Sequence, residues 1–193
     1  MALVPAICES FGLRFVGPDV YGRIICQDKE ISKRLAMQCG VLTPRYQIVR
    51  NHVGLQKLNP KQFPLVVKPN LEGSSIGISK RSIVKNIDEL RDVVTEVLTK
   101  FDQPALIEEF IPGREVCYNL IEGNPATDGQ FAEICIADQP NYFEQNLFCA
   151  EEKAAWKDID ILSINDELLL EDKNALQMLV ASIGRYGYCR ICQ

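Results

Sequence analysis

Residues 65–77 read Leu-Val-Val-Lys-Pro-Asn-Leu-Glu-Gly-Ser-Ser-Ile-Gly. Three apolar residues, two of them β-branched, then Lys68 and Pro69, predict a short strand that delivers a positive charge to the rim of a core. A lysine at a strand edge can also reach water along its aliphatic stem, which is the plain alternative for Lys68. The next residues favour a ligand. Gly73 and Gly77 let the backbone approach a bound group closely, and Ser74 and Ser75 offer hydroxyls and N–H groups that can cradle phosphate oxygens. No Gly-Lys-Ser/Thr follows, so this is not a Walker loop, and the G-x-G-x-x-G dinucleotide pattern is absent too. Taken alone, such a loop fits a tight hairpin equally well. Its position directly after Lys68 carries the functional reading.

Working outward, residues 87–101 place Ile87, Leu90, Val94, Val97, Leu98 and Phe101 on one face, which predicts an amphipathic helix with Asn86 or Asp88 near its start. A second short strand is expected around 77–80. Upstream, Ile31, Leu35 and Cys39 recur every four residues, so 29–39 reads as a helix capped by Asp28 and closed by Gly40. A strand candidate follows at 46–49. Downstream, strands are expected at 105–110 and 115–121 around an Ile-Pro-Gly turn, at 131–137 and at 188–192, with a helix at 166–183. The stretch 139–164 reads as irregular or partly helical. This order predicts an α/β (α+β) fold with more than one lobe, and its adjacent β-β connections argue against a simple doubly wound sheet.

The segment 106–115, Leu-Ile-Glu-Glu-Phe-Ile-Pro-Gly-Arg-Glu, carries three carboxylates. Adjacent Glu108 and Glu109 point to opposite faces of a strand, so one can face a cleft while the other meets solvent or a cation. A carboxylate in a cleft can accept from an amino group or from sugar hydroxyls. A solvated acidic edge is the alternative.

Composition bounds the partners. The chain has 193 residues, 47% apolar and 24% charged, with 26 acidic against 21 basic side chains and a net charge of -5. That balance is globular and gives no reason to expect a nucleic acid. No apolar run approaches the ~20 residues needed to cross a bilayer. The opening residues do not read as a secretory signal, so a cytoplasmic protein is expected. Of eight cysteines, Cys26, Cys39, Cys117 and Cys135 sit among apolar residues and are expected to be buried thiols. Cys189 and Cys192, spaced C-R-I-C, are a weak zinc or redox signal because a structural zinc usually takes four ligands. His52 reads as a loop residue.

Four segments in order, DKEISKRLAMQCGVLTPRY, FPLVVKPNLEGSSIGISK, LIEEFIPGREV and the fainter FCAEEKAAW with YGYCRI, resemble the ATP-grasp domain of D-alanine-D-alanine ligases. The resemblance runs from about Leu13 to the end and is strongest over 28–115. It implies two lobes of largely antiparallel sheet with a nucleotide cleft, and a chain truncated at both ends. Residues 1–27 would be a remnant of a first domain and linker, 28–121 the nucleotide-binding lobe and 122–193 an incomplete C-terminal lobe.

The same resemblance implies the site. Lys29, Lys68 and Lys153 would reach the nucleotide phosphates, with Ser74, Ser75 and Ile76 in the loop over them. Glu108 would meet the adenine amino group, the backbone near Glu109 and Ile111 would hold the ring, and Glu115 would bind ribose hydroxyls. Arg190, with Ser75 and Lys153, would serve the transferred phosphoryl group. ATP and Mg²⁺ are the implied cofactors, although Cys192 stands where the family has a magnesium-binding aspartate and Ala154 where it has a tyrosine. Amino-acid or dipeptide-type substrates are the expected partners, with no nucleic acid, no membrane and a homodimer as a candidate assembly. A ligase acting through an acylphosphate is the leading function. A non-catalytic nucleotide-binding homologue is the alternative, followed by another ATP-grasp ligase or a structural protein of the same fold.

Overall fold

The computed structural model describes residues 2–121, 123, 129–154, 158–165, 167, 170–184 and 188–192, and for 151, 152, 170 and 188–192 it describes the backbone alone. In chain order the elements are α1 (Leu3–Ser10), α2 (Val20–Gln27), α3 (Lys29–Gln38), β1 (Tyr46–Val49), α4 (His52–Gln56), β2 (Leu65–Pro69), β3 (Ile83–Val84), α5 (Ile87–Lys100), β4 (Ala105–Glu109), β5 (Glu115–Ile121), β6 (Gln130–Ile136), α6 (Ala150–Ala154), β7 (Ile159–Ser163), α7 (Leu170–Ser182) and β8 (Tyr188–Cys192). They form two antiparallel four-stranded sheets with the orders β1-β4-β2-β3 and β7-β6-β5-β8. The mixed α/β architecture expected from the element order is the one observed.

Two compact units are interleaved along the chain. One comprises residues 1–43, 114–138 and 159–193, and the other 44–113 and 139–158.

The second unit is built around α5. Asn86 caps it, its side chain accepting from the N–H groups of Asp88 and Glu89, and Asp88 and Glu89 complement the positive end of the helix dipole. Its apolar stripe, Leu90, Val94 and Val97, is almost wholly buried against Val49, Leu65, Val67, Val84, Ala105 and Ile107 of the sheet. Each such side chain contributes about 1.5–3 kcal/mol relative to exposure. The odd-numbered residues of β2 and β4 thus face the helix, leaving Val66, Lys68, Leu106 and Glu108 on the other face.

In the first unit, Tyr118, Leu120 and Phe131 of the sheet pack with Ile25, Ile164, Val180 and Ile183. Asp28 caps α3 through Ile31 N–H as expected, and Asp19 caps α2 through Gly22 N–H.

Three expectations are corrected. No strand forms at 77–80. Ser79 caps a 3-10 turn at Lys80–Ser82 instead, with Ser82 reaching back to Ser79 N–H, so extended backbone resumes at β3. The stretch 139–164 contains β7, stabilised by five register pairs with β6. Of the four cysteines expected inside, Cys117 is buried, Cys39 and Cys135 are half-buried and Cys26 is exposed, because α2 turns Ile25 rather than Cys26 to the core. His52 is an exposed residue opening the short helix α4.

Candidate functional site

Antiparallel register places Val66 opposite Glu108 and Lys68 opposite Leu106, so Lys68 and Glu108 are diagonal neighbours on one face. Lys68 Nζ donates to Glu108 Oε1 at 2.5 Å, with the side chains 23% and 7% exposed. Their flanking residues on that face, Val66 and Leu106, are buried. The pair is a charge-assisted contact in an environment where water competes poorly.

Glu109 takes the opposite side, as strand alternation requires. Arg45 meets its carboxylate through its backbone N–H at 3.0 Å, its Nε at 2.7 Å and its Nη2 at 2.5 Å, while Glu109 N–H donates to the Arg45 carbonyl at 3.0 Å. The hydrogen bond from the Arg45 side chain, and after it the one from the Arg45 backbone N–H, hold the Glu109 carboxyl below its ordinary value. Ile111, two residues on, is exposed.

The loop after β2 is strained. Ser74 and Ser75 both have positive φ (54° and 61°), and Gly77 follows at 76°. Left-handed backbone at two consecutive side-chain-bearing residues costs energy and is held by its surroundings. Here Ile76 N–H donates to Gly73 O at 3.0 Å, and Ile78 N–H to Ser75 O at 3.0 Å. Ser75, itself 9% exposed, donates its hydroxyl to Phe148 O at 3.0 Å and accepts from Lys153 Nζ at 2.7 Å. Lys153, on α6, also lies 5.1 Å from the centroid of the Phe148 ring, and Phe143 packs edge-on to that ring. Within this one unit, a lysine thus meets the serine-glycine loop across 78 positions of sequence. Ile76 is exposed at the loop's tip.

In the other unit, Lys29 is the first residue of α3 and Glu115 opens β5. Arg190 takes register opposite Asn119, and Cys192 opposite Cys117. Glu115 and Asn119 are four apart on β5 and therefore share a face. Arg114, which the sequence reading passed over, joins Glu133 (2.6 Å) and Glu167 (2.7 Å), and the two carboxylates hold its guanidinium firmly protonated. Arg45 was also missed. Its partners lie 64 and 17 residues away in sequence, and no local pattern signals such contacts.

Lysines beside serine hydroxyls can hold an anion, and cations around a phosphoryl group are what its transfer requires. The expectation of a magnesium-binding chain is corrected. Among the described residues no group of three His, Cys, Asp or Glu could hold a metal ion. Hard Mg²⁺ asks for converging oxygen ligands, and Cys192 supplies a soft sulfur at the expected position. Residues 155–156, the end of the FCAEEKAAW segment, lie outside the described residues. No described helix is long and apolar enough to cross a membrane.

Two antiparallel sheets, each with its own helices and one bearing this loop, define an ATP-grasp-like fold. The chain belongs to the family "D-ala D-ala ligase C-terminus", whose profile matches residues 36–189. D-alanine--D-alanine ligase of Marinomonas sp. is 31% identical over 193 residues, covering 97% of this chain and 57% of that protein. D-alanine--D-alanine ligase A of Bacillus cereus is 32% identical over 145 residues, covering 74% and 45%. The crystal structure of D-alanine--D-alanine ligase from Bacillus anthracis complexed with ATP matches with a TM-score of 0.68 at 26% identity, over 99% of this chain and 59% of that one. The chain spans about half the length of the curated relatives it matches.

Proposed function

We propose that this chain carries the nucleotide-binding part of an ATP-dependent carboxylate–amine ligase. The reaction moves the γ-phosphoryl of ATP onto a substrate carboxylate and releases ADP. The amine of a second amino acid then attacks the acylphosphate carbon, expelling phosphate and leaving a C–N bond. Lys29, Lys68 and Lys153 serve the phosphates, and Ser74, Ser75 and Ile76 form the loop over them. Glu108 serves the adenine amino group, the backbone at Glu109 and Ile111 the ring, and Glu115 the ribose. Arg190 steadies the transferred phosphoryl group. Substrates of the D-alanine class follow from the relatives' names, and a role in building cell-wall peptide is what the family resemblance implies.

The observation that carries this reading is Lys153 donating to Ser75. It brings a cation onto the loop whose glycines and hydroxyls suit phosphate oxygens. Calorimetric titration of the chain with ATP tests it. Saturable binding is expected, weakened at least tenfold by Lys153→Ala, about 1.4 kcal/mol. Equal affinity for the variant, or no binding in a sample folded by circular dichroism, would overturn the assignment.

A second reading, a homologue that binds nucleotide without turnover, is favoured by Cys192 in the family's aspartate position. ATP binding without ADP release when D-alanine is supplied would select it.

A further inference from the structure

The C-R-I-C spacing at 189–192 invites a local cysteine pair, but β8 disposes of it differently. Residues three apart along a strand lie on opposite faces, so Cys189 and Cys192 belong to different sides of the sheet. Cys189 takes register opposite Leu120, whereas Cys192 takes register opposite Cys117 on the neighbouring antiparallel strand. Cys117 is a buried thiol, 2% exposed. Directly opposed residues in an antiparallel pair have Cα atoms about 4.5 or 5.5 Å apart, depending on the pair type. Both separations fall within the roughly 4.4–6.8 Å that a disulfide spans. Cys117 and Cys192 therefore meet the backbone requirement for a crosslink, and Cys189 and Cys192 do not.

We infer that Cys117 and Cys192 form a cross-strand redox pair that closes to a disulfide joining β5 to β8. The oxidant is a low-molecular-weight disulfide. One cysteine thiolate attacks it, releasing one thiol and leaving a mixed disulfide. The opposing thiolate then attacks the protein sulfur of that bond, releasing the second thiol. The protein loses two protons and two electrons, and the small disulfide is reduced to two thiols. The crosslink fixes the register in which Arg190, two residues from Cys192, faces Asn119, and so gives this strand a redox-dependent restraint.

The test is a peptide map of the full chain after equilibration with oxidised glutathione and alkylation of remaining thiols. Trypsin cuts after Arg190 and separates Cys189 from Cys192, and a second cut at acidic residues separates Cys117 from Cys135 and Cys149. The expected product links the 191–193 peptide to the fragment holding Cys117. This link is retained in Cys189→Ser and lost in Cys117→Ser. Recovery of the 191–193 peptide unlinked from oxidised wild-type chain overturns the inference, and so does a predominant link through Cys189. The wild-type map decides the matter even where a variant fails to fold.

Discussion

Lys68 and Glu108 close a 2.5 Å contact across β2 and β4, on the face of the sheet turned away from α5. Taking both charges largely out of water costs several kcal/mol per ion, which good geometry only roughly repays. The pair is therefore poor evidence of net stability and better evidence of a site. Val66 and Leu106 beside it are buried apolar residues, so an apolar pair in the same positions would sit in matching surroundings without the desolvation cost.

Lys68→Ala deprives Glu108 of this partner. A cost of about 1–3 kcal/mol is expected, discounted from a fully buried pair because Lys68 is partly exposed. The double variant Lys68→Met/Glu108→Met removes both charges and is expected to be more stable than Lys68→Ala alone. Urea unfolding of the two variants checks the ordering. A double variant less stable than the single one would show that Glu108 has a larger independent role.

Ser75 combines a useful hydroxyl with a costly backbone. Ser75→Ala loses the contacts to Lys153 and Phe148 O and keeps the positive φ, whereas Ser75→Gly loses the same contacts and relieves the strain. The glycine variant is expected to be more stable by roughly 1 kcal/mol, within the cost of a left-handed side-chain-bearing residue. Equal unfolding midpoints would mean that the loop relaxes in the alanine variant.

Much of this architecture was readable where one local rule acts alone. The stripe Leu90-Val94-Val97 announces α5, the caps Asp28 and Asn86 announce two helix starts, and Leu65-Val66-Val67 announces β2. Failures came where a weak local signal is overruled or completed from afar. Ser79 and Ser82 satisfy one another's backbone and delay β3. In β7, Ile161 and Leu162 are both exposed, so no apolar alternation marks a strand that β6 holds by register. Within residues 1–27, read as a remnant of a first domain and linker, no helix is placed from the sequence, although Asp19 three residues before Gly22 is a usable cap signal for α2. The site divides likewise. Lys68 and Glu108 could be singled out by residue type, but Arg45 beside Glu109 and Lys153 on Ser75 are products of tertiary structure.

Arg45 and Glu109 predict a response to acid. The folded carboxyl titrates below its ordinary value, which is about 4.3 in an unfolded chain. Its contribution is complete above that ordinary value and is lost as pH falls through the lower folded value, because the unfolded chain binds the proton first. The stability gap between wild type and Glu109→Gln is therefore expected to stay flat at neutral pH and shrink on acidification. Salt is expected to narrow it too, since the pair is solvent-accessible. Urea midpoints across the acid range measure it, and a gap that widens toward low pH would contradict the assignment.

Gly77 is required twice over. Its φ is +76°, and an added Cβ would stand 2.5 Å from Pro69 Cγ and 2.8 Å from Phe101 Cζ. Pro69 is a fully buried ring at the end of β2, so it has little room to move. Gly77→Ala is expected to cost roughly 2–4 kcal/mol, combining left-handed strain with overpacking. Gly73, four residues earlier in the same loop, has a φ outside the left-handed region and nothing within 4 Å of an added Cβ, so Gly73→Ala is expected to stay within about 0.5 kcal/mol of wild type. Chemical unfolding of the pair separates close packing from mere loop composition. A Gly73 variant as damaged as the Gly77 variant would mean that the loop needs glycine for backbone freedom throughout, and that the contact with Pro69 and Phe101 is incidental.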